Sequence, residues 1–203
     1  MGSLQVAGFK HGSDKKILEL GCGKGRLASL LRPYGQVTAL DYSAATIDDN
    51  KKEYPDIEFV VGDVTAPLGY HDAFDAVVSM EMIEHVTYEQ QHKVIENAFD
   101  ALKENGCFIF TTPNRIVNER LNYKGFQPVE DWLSLQEATK LLATKFEVIE
   151  AYTVVLTLRP ALLDALWKRL FFPVNLYLVQ KLIRNSGRGR HLVLTGKKTP
   201  IRI

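Results

Sequence analysis

Short apolar runs alternate with amphipathic stretches along most of this chain. The first run covers residues 17–20, and Leu27, Leu31 and Tyr34 then recur at the spacing of one helix face. Further apolar runs, each closed by polar or turn-forming residues, occupy positions 36–40, 57–61, 74–79, 107–112, 146–153 and 191–195. Near-continuous apolar strands separated by amphipathic helices predict a parallel sheet covered on both faces, with ligand sites at the carboxyl ends of its strands.

Three of the predicted helices have recognisable start signals. Ser43, Thr87 and Ser134 are N-cap residue types, and a Gln or Glu three positions after the second and the third completes a capping box. The helix that starts after Thr87 is expected to end at residues 105–106, where Asn is followed by Gly. Each of these helices separates two predicted strands.

The turn after the first predicted strand carries three alternating glycines, Gly21, Gly23 and Gly25. Glycine adopts backbone conformations that other residues avoid and lets a ligand approach without a Cβ in the way, and the N–H groups at the following helix start attract polar or negative ligand groups. The dinucleotide fingerprint requires glycine where Arg26 stands, and the phosphate-binding P-loop requires Ser or Thr where Gly25 follows Lys24. The loop therefore indicates a nucleotide-type site of another kind, with a ligand-free turn as the alternative.

An acidic residue closes the second predicted strand. Asp41 lies twenty residues after Gly21, where a carboxylate can accept hydrogen bonds from both hydroxyls of a bound ribose. A solvated charge is the alternative for such an acid taken alone. Its position after a glycine-rich loop favours nucleoside binding.

The segment from Glu19 to Gly25, an acid followed by three alternating glycines, resembles motif I of the class I S-adenosylmethionine-dependent methyltransferases. The resemblance covers roughly residues 16–153 and 190–197. It implies an α/β, Rossmann-like, doubly wound seven-stranded sheet, mostly parallel, whose last strand runs antiparallel beside the fifth. It also implies S-adenosyl-L-methionine as the cofactor, with Asp63 near the adenine amino group; an Asp that bonds its own turn is the alternative. The predicted cofactor-binding residues are Glu19, Gly21, Cys22, Gly23, Gly25, Asp41, Tyr42, Gly62, Asp63, Val64 and Met80.

The segment Glu81-x-x-Glu84-His85 follows the fourth predicted strand. Methyl transfer from an activated donor mainly requires alignment, but a hydroxyl acceptor must also lose a proton, and a neutral imidazole suits that task. His85 is the only one of the five histidines that directly follows a strand end expected to face the cofactor. We therefore predict His85 as the general base and Glu81 as a second catalytic residue, with a local hydrogen-bonding role for the histidine as the alternative.

The same segment offers three ligands, Glu81, Glu84 and His85, for a divalent cation such as Mg²⁺. It resembles the corresponding Glu-x-x-Glu-His segment of ubiquinone-biosynthesis O-methyltransferases, which are the closest family in motif. It also resembles that of small-RNA 3′-terminal 2′-O-methyltransferases, and both groups are similar to metal-using enzymes. The RNA enzymes have a further His well after the fifth strand, whereas residues 113–190 contain none here. In many relatives the acids merely begin the helix, so metal binding and a structural role both stay open.

The composition restricts the class of protein and its partners but indicates no further functional site. The 203 residues suit a single domain, and 25 basic against 24 acidic residues give a net charge of +1, which does not favour a nucleic-acid partner. Cys22 and Cys107 belong to no Cys-x-x-Cys pair, and residues 1–16 lack the apolar segment of a signal peptide. We therefore expect a reduced, cytoplasmic protein.

Two segments between predicted strands are candidates to cover the cleft. Residues 115–133 include aromatic side chains, and residues 154–190 are predicted as a helical insertion with seven basic residues and one acid. The longest uncharged run of the second segment, 170–180, is too short to span a bilayer. This segment has three alternative roles. It covers the cleft as a cap, it forms a homodimer interface, or its residues 159–190 make a peripheral membrane or lipid contact at the inner face of a membrane.

Together these features predict an S-adenosylmethionine-dependent methyltransferase that methylates the hydroxyl of a small apolar or phenolic acceptor. An RNA 3′-terminal methyltransferase or an N-methyltransferase is the alternative among enzymes. A non-catalytic S-adenosylmethionine-binding module is the alternative outside them. All of these functions require Asp41 and Asp63 to share one cavity with the glycine loop.

Overall fold

The computed structural model describes residues 9–125, 127–156 and 189–200 of the chain. Its strands are β1 (Lys16–Leu20), β2 (Gln36–Asp41), β3 (Glu58–Val61), β4 (Phe74–Met80), β5 (Leu102–Pro113), β6 (Glu147–Leu156) and β7 (Gly189–Lys197). Its helices are α1 (Arg26–Leu31), α2 (Ala44–Glu53), α3 (Tyr88–Ala101), α4 (Arg115–Arg120) and α5 (Leu135–Leu142), with 3₁₀ turns at Arg32–Tyr34 and Ile83–His85. From β1 to β3 and from β4 to β6, helices separate successive strands, as the apolar and amphipathic stretches predict.

The strands form one sheet in the order β3-β2-β1-β4-β5-β7-β6. β1 pairs in parallel with β2 and β4, and β5 continues the parallel part beside β4. β7 inserts between β5 and β6 and is antiparallel to both. The predicted Rossmann-like doubly wound sheet with an antiparallel last strand is therefore confirmed. The strand order reverses between β1 and β4, which opens a crevice at the carboxyl ends of those strands.

Successive residues of the central strands pack into two apolar layers, one on each face of the sheet. Val77 of β4 and Phe108 of β5 lie in one layer, and their neighbours Val78 and Ile109 lie in the other. All four side chains are buried. Because apolar side chains cover both faces of the sheet, polar side chains that could bind a ligand are concentrated at the strand ends.

Helix α3 ends earlier than its sequence indicates. The capping box at its start is present, but the last helical residue is Ala101 instead of residues 105–106. Leu102 is already part of β5, where it is buried and paired with Phe74. Burial of Leu102 in the sheet outweighs the later stop signal, and Asn105 takes a left-handed conformation (φ 63°) within the strand instead.

Most of the predicted helical insertion at 154–190 lies outside the described residues. Its interpretations as a cap, a homodimer interface or a lipid contact through 159–190 therefore stay predictions. Among the helices of residues 9–125, 127–156 and 189–200, none is long and apolar enough to cross a membrane.

Candidate active site

A cavity of about 530 Å³ lies at the carboxyl ends of β1 to β4. Its volume is typical of pockets that bind a small molecule or a cofactor. Its lining consists of Gly21, Gly23, Asp41, Tyr42, Gly62, Asp63, Val64, Thr65, Glu81, Met82, His85, Val86, Gln90 and Gln127. A cavity of about 560 Å³ opens at the opposite edge of the sheet, among the first residues of the same strands. Because the loops with the predicted chemistry line only the former, the candidate site is the cavity at the carboxyl edge.

The loop after β1 contains three glycines in left-handed conformations, Gly21, Gly23 and Gly25. Gly21 has a φ of 72° and Gly23 has a φ of 46°. A Cβ on Gly21 would clash with Cγ of Met82, whereas a Cβ on Gly23 would have no atom within 4 Å. Gly21 thus lets the loop pack against Met82, and Gly23 leaves its backbone accessible to a ligand. The N–H groups of Gly21 and Cys22 both donate to the carbonyl of Leu40, at 2.8 and 2.9 Å, and fasten the loop to β2.

Asp41, the last residue of β2, holds the loop from the other side. Its Oδ2 accepts the N–H of Gly23 at 2.9 Å, and its Oδ1 accepts the N–H of Ser43 at 3.0 Å. The residue is only 8% exposed, yet it lines the cavity. Because each carboxylate oxygen accepts more than one hydrogen bond, Asp41 fixes the loop and still presents acceptor positions to a ligand.

Asp63 follows β3 and lines the same cavity. Its Oδ1 accepts the N–H and the hydroxyl of Thr65, at 2.8 and 2.7 Å. The side chain therefore bonds its own turn, which is the alternative to the adenine contact. Its Oδ2 makes no hydrogen bond to any residue that the structure describes, which leaves that oxygen to a ligand. Both acids and the glycine loop therefore share one cavity, as nucleoside binding requires.

Four of the predicted cofactor-binding residues, Glu19, Cys22, Gly25 and Met80, are not among the residues that line the cavity. Glu19 of β1 is buried, and this burial raises the pKa of its carboxyl group to about 8. Its carboxyl group accepts the N–H of Ala28, but Oε2 is buried with no hydrogen-bond partner in the described ranges. For these four residues, direct contact with a ligand stays a prediction.

Glu81 follows β4 and has a strained backbone. Its φ is 50°, which residues with a side chain rarely adopt. The hydroxyl of Thr111 donates to Oε1 at 2.7 Å, the N–H of Glu81 donates to the carbonyl of Thr111 at 3.1 Å, and Nδ1 of His191 lies 2.9 Å from Oε2. These three contacts keep the carboxylate at the cavity wall despite the strain. No sequence motif indicated His191 as a partner.

His85 ends the 3₁₀ turn Ile83–His85 and lines the cavity with a side chain that is 36% exposed. Its Nδ1 lies 3.5 Å from the carbonyl oxygen of Val129 and 4.0 Å from Oε2 of Glu130. Its Nε2 lies 4.0 Å from Oε1 of Glu84. Because a carbonyl oxygen only accepts hydrogen bonds, the Val129 contact favours a proton on Nδ1 and leaves Nε2 unprotonated in the neutral ring.

The side chains of Glu81, Glu84 and His85 do not converge on a common point. Glu84 is buried, which raises the pKa of its carboxyl group to about 8, and its Oε2 accepts the hydroxyl of Thr112 at 3.0 Å. The Glu81 carboxylate contacts its partners on β5 and β7 instead. Across the described ranges, no group of three or more His, Cys, Asp or Glu side chains is arranged to hold a metal ion.

Residues 127–133, the strap, are bonded to the turn before α3 and to its first residues. The N–H of Asp131 donates to the carbonyl of Glu84 at 2.8 Å, and its Oδ2 accepts the N–H of Tyr88 at 2.8 Å. The carbonyl of Asp131 accepts the Nε2–H of Gln91 at 2.8 Å.

The cavity-lining residues that were not predicted as such are Thr65, Met82, Val86, Gln90 and Gln127. The strap thus supplies part of a wall that the sequence motifs do not reveal.

Comparison with known proteins agrees with this geometry. A family model described as a methyltransferase domain matches residues 17–106. A protein of Mycolicibacterium smegmatis named as a probable S-adenosylmethionine-dependent methyltransferase is 34% identical over 140 residues, which are 67% of this chain and 53% of that protein. Over these residues the chain is similar to S-adenosylmethionine-dependent methyltransferases. The mitochondrial ubiquinone biosynthesis O-methyltransferase of Schizosaccharomyces pombe is 34% identical over 117 residues, 54% of this chain and 42% of that one.

The chain also shares its fold with solved structures of methyltransferases. An S-adenosylmethionine-dependent methyltransferase from Mesorhizobium loti has a TM-score of 0.70 at 18% identity, and the match covers 97% of this chain and 96% of that one. At this identity the likeness concerns the fold alone. The chain spans about half the length of the curated relatives it matches, 53% and 42% for the two named above.

The residues at the cavity fit the cofactor that the family implies. The Gly23 backbone faces open space, which suits the close approach of a ligand. Oδ2 of Asp63 is left for a donor such as an amino group. The carboxylate of Asp41 sits beside the loop, where ribose hydroxyls would find an acceptor.

The free energy of unfolding of the unmodified protein is expected to fall as the pH rises, and Glu19→Gln should make this fall smaller. Burial raises the pKa of Glu19 from 4.5 to about 8, so between about pH 5 and about pH 8 the folded chain retains a proton that the unfolded chain releases. The free energy of unfolding therefore falls across this window, by at most about 1.4 kcal/mol per pH unit for one group. Urea unfolding at several pH values measures this slope, which the substitution should make shallower. Glu84 titrates in the same sense, so part of the slope should remain. An unchanged slope would show that Glu19 is ionised in the folded protein.

Proposed function

We propose that this chain transfers a methyl group from S-adenosylmethionine to a hydroxyl group of a small apolar or phenolic acceptor, with His85 as the general base. One observation carries the proposal: a single cavity is lined by the glycine loop, by Asp41 and Asp63, and by His85. The nucleoside-binding elements and a candidate base therefore face the same space. When bound, S-adenosylmethionine supplies a methyl group activated by a positively charged sulfur.

In this proposal the acids bind the two ends of the nucleoside. Asp41 accepts hydrogen bonds from the ribose hydroxyls, and the free Oδ2 of Asp63 accepts one from the adenine amino group. The Gly23 backbone lies against the ligand because no side chain intervenes. Binding in this orientation directs the reactive end of the donor toward β1 and β4, where Glu81 and His85 lie.

His85 has the surroundings that a general base needs. With Nδ1 directed at the Val129 carbonyl, Nε2 is the nitrogen that takes the proton from the acceptor hydroxyl as the methyl group is transferred. The strap supplies that carbonyl, and the bonds of Asp131 fix the strap to the neighbouring helix. Alignment of acceptor and base thus depends on residues that come from two separate segments of the chain.

Transfer to oxygen is supported by the names of several relatives. Ubiquinone biosynthesis O-methyltransferases of Schizosaccharomyces pombe and Coxiella burnetii are 34% and 32% identical to this chain over 117 and 106 residues. A hydroxyl acceptor also gives a reason for a base beside the cavity, because it must lose a proton. If the acceptor is RNA or an amine, or if the chain only binds the cofactor, the labelling experiment is expected to give a different product or none.

Two measurements test the proposal. Calorimetry with S-adenosylhomocysteine should show binding at one site per chain, and an absence of binding would remove every function that uses the cofactor. A cell extract incubated with the protein and with methyl-labelled S-adenosylmethionine should then yield a small, nuclease-insensitive product with a methyl ether, identified by mass spectrometry. A nuclease-sensitive or N-methylated product would indicate the alternative acceptors. Binding without any labelled product would favour the non-catalytic module.

The same labelling assay distinguishes proton removal by His85 from a reaction assisted by a metal ion. If His85 alone removes the proton, transfer should persist after treatment with a chelator. Loss of transfer on chelation, with recovery on addition of Mg²⁺, would favour a site in which Glu81, Glu84 and His85 rearrange around a cation.

A further inference from the structure

Glu81 is a third cavity-lining carboxylate, besides the two that bind the nucleoside in the proposed function. Among the described lining residues, the acids are Asp41, Asp63 and Glu81. Glu81 differs from the other two because its backbone is strained, with a φ of 50°, and because partners on two different strands hold its side chain. Strain that the surrounding structure maintains is common at functional sites.

The sheet order indicates which part of the donor Glu81 faces. Asp41 ends β2 and Asp63 follows β3. In the proposed function the nucleoside therefore occupies the β3-β2 side of the cavity. The sulfur of S-adenosylmethionine is attached to the ribose on the side away from the adenine. A donor bound in this direction therefore places its sulfur toward β1 and β4, and Glu81 is the acid that follows β4.

The contacts of Glu81 leave its charge available to the cavity. Thr111 and His191 each approach a different carboxylate oxygen, at 2.7 and 2.9 Å. An ionised carboxylate only accepts hydrogen bonds, so in a neutral His191 ring the proton of this contact is on Nδ1. Both side chains are about one third exposed, 34% for Glu81 and 32% for His191, so the carboxylate is held in place without being enclosed.

We propose that Glu81 faces the positively charged sulfur of the bound donor and that His191 is a positioning residue that orients the Glu81 carboxylate. This inference rests on the proposed cofactor site but not on the identity of the acceptor. Opposite charges close together in a partly desolvated cavity attract, and the attraction disappears when the sulfur has lost its methyl group and its charge. Glu81 would therefore favour the donor over the demethylated product.

Calorimetry with three probes tests this inference without an acceptor. S-adenosylmethionine carries a positively charged sulfur. Sinefungin has a carbon in place of the sulfur and an ammonium group in place of the methyl group, and S-adenosylhomocysteine has an uncharged sulfur. Glu81→Gln keeps the size of the side chain and removes its charge. We expect it to weaken the binding of the two cationic probes roughly tenfold relative to S-adenosylhomocysteine. Glu104→Gln, at the exposed amino end of β5, is the matched control and should leave the ratio unchanged.

Substitution of His191 tests the orienting contact. His191→Asn keeps an N–H donor near the position of Nδ1 and should preserve the ratio of affinities within about twofold, whereas His191→Leu removes the donor and should lower the ratio at least threefold. A merely structural role would weaken all three probes equally. Equal losses in Glu81→Gln, or none, would overturn the inference while the proposed function stands. Failure of the unmodified protein to bind S-adenosylhomocysteine would instead overturn the proposed function and this inference together.

Discussion

Asp41→Asn is expected to weaken S-adenosylhomocysteine binding by roughly a hundredfold. In the folded chain the two oxygens of this carboxylate accept the N–H groups of Gly23 and Ser43, at 2.9 and 3.0 Å. An amide retains only one oxygen, so its NH₂ group must face one of these two N–H donors. If that donor is Gly23, the glycine loop keeps the bonds from Gly21 and Cys22 to Leu40 but loses the one that fixes Gly23, and the proposed ribose site loses a carboxylate acceptor.

Calorimetry measures the affinity, and urea unfolding separates the two causes of its loss. The substitution should also lower the free energy of unfolding by about 1 to 3 kcal/mol, because a partly buried N–H loses its charged acceptor. Asp49→Asn, on the exposed face of α2, removes the same charge and should change neither quantity. Normal affinity in Asp41→Asn would mean that the nucleoside does not bind at the end of β2.

The parts of this structure that could be predicted depend on short segments of sequence. Apolar runs indicated where the strands lie, N-cap residues indicated the starts of three helices, and the position of Asp41 relative to the glycine loop indicated the shared cavity. Each of these features acts over fewer than about thirty residues, the scale of one βαβ unit. Local patterns of this kind carry strong signals because they follow from backbone geometry and burial.

The parts that could not be predicted depend on distant pairings. Glu81 and His191 are 110 residues apart, and they meet only because β7 inserts beside β5. Asp131 reaches the carbonyl of Glu84 because the chain returns across the start of α3 after leaving β5. Leu102 was expected near the end of a helix, but its pairing with Phe74 places it in the sheet. No local pattern encodes such contacts, since tertiary packing decides them.

The same limit applies to the assignment of the base. Among the described residues, His85 lines the cavity, and His191 contacts the cavity-lining side chain of Glu81. The sequence favoured His85 because it follows a strand end, and the structure adds a carbonyl at 3.5 Å that favours a proton on Nδ1. A substitution that preserves this contact but removes the basic nitrogen distinguishes catalysis from local structure.

His85→Asn is such a substitution, and it is expected to lower the rate of methyl transfer by about 100- to 10,000-fold. The Asn amide can still donate to the Val129 carbonyl, so the strap should stay in place, but no nitrogen remains to take the proton from the acceptor. Binding of S-adenosylhomocysteine should change less than about threefold, because in the proposed function other residues contact the nucleoside. Initial rates of label transfer into the extract fraction that accepts the methyl group provide the measurement.

His71→Asn, in the exposed loop before β4, is the matched control and should transfer methyl groups at the normal rate. If His85→Asn also kept its rate within about threefold, proton removal would not depend on this imidazole. His191 would then be the candidate base, because it is the other described histidine in contact with a cavity-lining side chain. A double substitution of both histidines decides between them: a rate lost only in the double variant would mean that either imidazole accepts the proton.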